Sequence, residues 1–125
     1  MKALPKPTRK DTINLRIFRH DGAKYYKDIV GVFVYPLVIH RPTDDYDLIA
    51  SGKKSRYSSK WNVTHALTGK GFGISSTNWD AVSAYALGMQ DEPALLMMSD
   101  KTMTEHPCYD QLFERHKELK HKLGL

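Results

Sequence analysis

The sequence predicts an α+β fold, a mostly antiparallel sheet of four or five strands packed by one central helix, with a further helix at the C-terminus. Three observations lead there. Apolar residues alternate with polar ones in short runs through the first half of the chain, which is the period of a half-buried strand. An alanine-rich apolar stripe at helical spacing then covers Thr77 to Met89, and a charged amphipathic segment closes the chain. At 125 residues there is material for one core and not two.

Residues 1–11 read as a flexible basic arm, because two prolines and four cations leave little to bury. Residues 12–125 read as one domain. Ile13, Leu15 and Ile17 alternate with Asn14, Arg16 and Phe18 in a first strand, and Asp21-Gly22 fits a tight hairpin. Tyr25 to Ile39 is a long β-branched and aromatic run. Gly31 and Pro36 are its expected irregularities, and Pro36 places this strand locally at a sheet edge. Arg41 to Tyr46 is a turn cluster, Tyr46 to Ala50 a short strand, and Ser51 to Lys60 a polar cationic loop. In the next strand Trp61, Val63, His65 and Leu67 share one face, while Asn62, Thr64, Ala66 and Thr68 share the other. Gly69, Gly71 and Gly73 turn the chain into a strand around Phe72 and Ile74.

Thr77 or Ser76 is the expected cap of the central helix, whose stripe is Trp79, Val82, Tyr85, Ala86 and Met89. Ala94 to Met98 is apolar and fits either strand or helix. The last helix starts with Pro107 in its first turn and runs to about Leu123, with Leu112, His116, Leu119 and Leu123 inward. The expected core is Ile13, Ile17, Phe33, Val63, Leu67, Trp79, Val82, Tyr85, Leu112 and Leu119.

Charge narrows the function. The net +5 is unevenly spread: residues 1–27 hold eight Lys/Arg against Asp11 and Asp21, and residues 51–70 hold Lys53, Lys54, Arg56, Lys60 and Lys70 with no acid. Acidic stretches separate these blocks. Such a pattern suits a polyanion. Lys53, Lys54, Arg56, Lys60, Lys70, Arg9 and Lys10 are the expected phosphate contacts, and Tyr57 an expected base-stacking ring. Trp61 stacks too if exposed, but its shared face with Val63 and Leu67 favours the core.

The chemistry-bearing motifs are weaker. His40-Arg41-Pro42-Thr43 and His65-Ala66-Leu67-Thr68 both read His-x-x-Thr, whereas two-histidine phosphoesterases use His-x-Thr to put both groups on one strand face. A spacing of three puts His65 and Thr68 on opposite faces of a strand. Asp44, Asp45 and Asp47, the His106–Cys108 pair and the Gly69–Gly73 turn lack the further ligands or the Gly-Lys-Ser/Thr ending that metal and phosphate loops need. No cofactor is expected. The lone Cys108, the lack of a secretory signal and the lack of any run of about 18 apolar residues point to a cytoplasmic protein away from membranes.

The leading expectation is a small non-catalytic nucleic-acid-binding accessory protein. The alternatives are a regulator or inhibitor, of phage or mobile-element type, docking on a nucleic-acid-handling protein through Ala94–Met98 or exposed tyrosines, and a small phosphoesterase using His40 and His65. Nothing in the sequence sets the oligomeric state.

Overall fold

A computed structural model of the protein describes residues 4–8, 10–18, 24–41 and 60–125. Among these residues five strands form one antiparallel meander, β1 (Thr12–Phe18), β2 (Lys24–Val34), β3 (Leu37–His40), β4 (Trp61–His65) and β5 (Gly71–Ser76), each paired with its sequence neighbour. Helix α1 (Trp79–Met89), a 3-10 turn (Pro93–Leu96), α2 (Asp100–Thr104) and α3 (Tyr109–Lys122) follow. The fold is the expected α+β arrangement. Tyr46–Ala50 and Asp21-Gly22 lie outside the described residues.

Strand β2 serves two partners in succession. Its Lys24–Val30 portion pairs with β1, and its Gly31–Val34 portion pairs with β3. The change falls at Gly31. A Cβ there would stand 2.6 Å from the Ile39 carbonyl oxygen and 2.9 Å from His40 Cβ, so only glycine lets the two backbones approach this closely. Pro36 follows a stretch of β2 that is locally an edge, as expected, because Gly31–Val34 has β3 as its one strand partner among the described residues. The proline itself sits with Tyr35 in the turn between β2 and β3, where no ladder N–H is needed, and β3 is an interior strand paired on both sides.

Alternation then sorts the side chains into two layers. Val34, Leu37, Ile39, Trp61, Val63 and Ile74 meet Trp79, Val82, Tyr85, Ala86 and Met89 of α1, with Leu112 and Leu119 of α3 closing the core. On the other face Ile29 and Val38 are fully buried, with Ile13 and Ala66 packed against them. Ile13 therefore belongs to this second cluster. Phe33, expected in the core, is 51% exposed: it pairs with Val38 in register and so points away from α1. Leu67 is only half-buried because it lies in the turn after β4, where strand alternation has ended.

The helix starts also shift. Asn78 caps α1, its side chain accepting from Ala81 N–H at 3.1 Å, while Ser76 still belongs to β5 and accepts from Asn78 N–H at 3.1 Å. Of Ala94–Met98, the first three residues belong to the 3-10 turn, and Met97 and Met98 lie in the link beyond it. Ser99 and Thr102 then form a reciprocal cap on α2, so the chain makes a separate short helix before α3, which begins after Pro107 at Tyr109. Helices α1 and α3 touch at Gly88, where a Cβ would meet Leu119 Cδ1 at 2.8 Å. No helix among the described residues is long and apolar enough to cross a membrane.

Candidate functional site

One end of the sheet gathers segments that are far apart in sequence. Gly31 N–H donates to the Asp11 carbonyl at 3.1 Å, and Arg41 N–H donates to the Val30 carbonyl at 3.1 Å. The Arg41 guanidinium Nη1 then donates to the Lys60 carbonyl at 3.5 Å. These bonds link the start of β1, the middle of β2, the end of β3 and the start of β4. Neighbouring strands lie about 4.8 Å apart, so Asp11 and Lys60, three strands removed, are separated by about 15 Å. Trp61 pairs with Ser76, which brings the start of α1 to the same end. There Trp79 Nε1 donates to the Leu4 carbonyl at 2.6 Å and gives the N-terminal arm a fixed point.

Residues 42–59 leave from Arg41 and rejoin at Lys60, so both attachment points of that stretch belong to this end. Lys53, Lys54, Arg56 and Tyr57 within it, and Arg9 in the arm, lie outside the described residues. Lys60 and Lys10 stand at this end, Lys60 half-buried and Lys10 exposed. Lys70 does not join them. It precedes Gly71, which pairs with Thr64, whereas Lys60 precedes Trp61, so the two lysines stand at opposite ends of the β4–β5 hairpin.

Trp61 is fully buried. Its ring meets Trp79 edge-on at 4.7 Å between centroids, and the Arg41 guanidinium covers it at 3.7 Å. Such a cation over an aromatic face contributes about 0.5–2 kcal/mol, and it leaves no ring face for a base. Among the described residues the exposed aromatics are Phe33 on the second face, Tyr35 in the turn that follows it, 61% exposed, and Phe113 on α3. Sequence reasoning missed Phe33. The available signal was its odd-numbered parity with Gly31, opposite to that of core-facing Val32 and Val34.

Both predicted histidines are buried and fully bonded. His40 Nδ1 lies 2.6 Å from the Arg41 carbonyl and Nε2 lies 2.6 Å from Thr64 Oγ1. A carbonyl only accepts, so Nδ1 carries the proton and Nε2 takes the Thr64 hydroxyl proton. Burial pushes the His40 pKa down to about 4, opposed by the bond to the Arg41 carbonyl. His65 Nε2 donates to the Leu95 carbonyl at 2.5 Å, and Nδ1 accepts from Thr68 Oγ1 at 2.8 Å. Burial lowers its pKa also.

Thr68 reaches His65 because it is not on the strand. The chain turns after β4, with Gly69 at φ 79° donating its N–H to the His65 carbonyl at 2.7 Å. That corrects the expected separation of His65 from Thr68. The two imidazoles nevertheless fail to form a pair. His40 is opposite Asn62 in register, while His65 shares the face of Trp61 and Val63, so the sheet lies between them. Both act as internal ties, His65 holding β4 to the 3-10 turn.

Elsewhere, Tyr85 Oη bonds His116 Nδ1 at 2.5 Å between α1 and α3. His106 Nδ1 accepts from Cys108 N–H at 2.9 Å within a local turn. No group of three or more His, Cys, Asp or Glu able to hold a metal occurs among the described residues, and Asp44, Asp45 and Asp47 lie outside them. Comparison of the chain with protein-family models, with curated proteins and with solved structures found no match in any of the three.

Proposed function

We propose that the protein is a nucleic-acid-binding accessory protein whose cations act from one end of its sheet. The carrying observation is the run of bonds from Asp11 through Gly31, Val30 and Arg41 to Lys60, because it roots both basic stretches within about 15 Å of each other. Lys6 and Lys10 come from the arm, while Lys53, Lys54 and Arg56 belong to the stretch between Arg41 and Lys60. Phosphate contacts of this kind release counterions, so binding weakens steeply with salt. Lys70, at the far end of the hairpin, drops out of this reading.

The test is binding to a labelled oligonucleotide across a salt series. Replacing Lys53, Lys54 and Arg56 together by alanine should flatten the slope of log affinity against log salt by roughly two to three. Replacing Lys70 alone should leave the slope unchanged. Salt-insensitive binding, or none at low salt, rejects the proposal.

A second reading has an observation of its own. Leu96 and Met98 are 54% and 70% exposed on the 3-10 turn and the link beyond it, a suitable apolar contact for a nucleic-acid-handling protein. Capture of such a protein after nuclease treatment, lost in Leu96→Ser, would favour it.

A further inference from the structure

The second face of the sheet carries a cavity of about 400 Å³ between the arm and strands β1 and β2, with Pro5, Lys6, Asp11, Ile13, Gly31 and Phe33 in its wall. This volume falls within the ~300–1,000 Å³ typical of small-molecule sites. It is a built recess, not an accident of a loose arm. The Leu4 carbonyl is pinned by Trp79 Nε1, and Asp11 Oδ2 accepts from both Thr8 N–H at 2.7 Å and Thr8 Oγ1 at 3.1 Å, closing the arm into a turn. The Gly31 N–H bond to the Asp11 carbonyl then ties that turn to β2.

Resting on the nucleic-acid reading above, we infer that this recess receives one unpaired nucleotide of a single-stranded nucleic acid, its base on the exposed ring of Phe33. Three features select that occupant. Phe33 offers half its surface and is, among the described residues, the one aromatic ring in the wall, and a base can stack on such a ring whatever its identity. Lys6 and Lys10 are exposed beside it, and neither has an ion-pair partner among the described residues, so two cations are available to the flanking phosphates. Gly31 in the wall of the recess is linked through Val30 and Arg41 to Lys60, where the second basic stretch rejoins the sheet. The carboxylate of Asp11 is part of the same wall. Its bonds to Thr8 fix it in place, and its remaining lone pairs suit an exocyclic amine and repel phosphate, which sets the base inward and the backbone outward.

A duplex keeps its bases stacked on each other and cannot present one to Phe33. Binding of the protein to a fluorescein-labelled oligodeoxycytidylate, whose bases carry the exocyclic amine, and to a duplex of equal length therefore separates the two levels of the argument. Phe33→Ala should weaken single-strand binding about tenfold or more and leave duplex binding unchanged. Phe33→Trp should restore it, with the added indole emission quenched saturably by the oligonucleotide. Because Phe33 is half-exposed, both variants should keep the parent melting temperature, which is measured alongside. Unchanged single-strand affinity in Phe33→Ala overturns the stacking site while leaving salt-dependent binding in place. Absence of binding to either oligonucleotide overturns both. Conversion of a dimer to a monomer by Phe33→Ala, read by sedimentation, assigns the face to a second copy of the chain and also overturns the inference.

Discussion

His40 takes up no second proton in the folded chain until the pH falls to about 4, whereas an unfolded histidine takes one near 6.5. Between these values the unfolded state holds more protons than the folded one, so stability rises with pH. It is complete above about 6.5 and declines as acidification proceeds toward 4, by about 3 kcal/mol in all. His65, lowered by the same cause, adds to the slope in the same direction. Denaturant midpoints measured at stepped pH should show this fall. His40→Gln, which still has an N–H for the Arg41 carbonyl and an acceptor for Thr64, should make it shallower without abolishing it.

Elements depend on smaller devices, and the cap of α1 is the clearest. Asn78 satisfies the Ala81 amide, and Asp80 in the first turn complements the helix dipole. Asn78→Ala should cost about 1 kcal/mol in urea unfolding, and Asn78→Ser should recover most of it. The stripe of α1 could be read from the sequence because every member of it, Trp79 to Met89, is buried at helical spacing. The cap could not, since Ser76, Thr77 and Asn78 are all good capping residues and only the end of β5 decides among them. Strand existence was legible for the same reason as the helix, and Trp61 is buried as the face it shares with Val63 implied, yet Phe33 is not. Composition says that both rings prefer burial. Whether Phe33 obtains it depends on how β2 passes from β1 to β3 at Gly31, and that is a property of pairing register. The cations of the candidate site were likewise legible as residue types, but the separation of Lys60 from Lys70 follows only from the Trp61–Ser76 register.

At the scale of the molecule, the arm and the core are joined across 75 positions by the Trp79–Leu4 bond. Leu4 also packs against the main core as a half-buried side chain. Deleting residues 1–10 should remove that acceptor and that contact, lowering stability by about 1–2 kcal/mol. Tryptophan emission should move to the red as the Trp79 indole N–H turns to water, and thermal unfolding of the truncated chain checks the loss.

A meander asks almost nothing of the chain's long-range organisation, since each strand waits only for the next. The exception is β3 meeting β4, whose union must close the stretch between Arg41 and Lys60. Closure entropy grows only with the logarithm of length, about 0.6 kcal/mol for each doubling. The two-residue Tyr35–Pro36 corner brings β3 beside β2 at once, whereas β4 reaches β3 only after residues 42–59. Completing the sheet therefore waits on that one sequence-distant pairing, and substitutions that weaken it should slow folding more than those within the neighbouring hairpins.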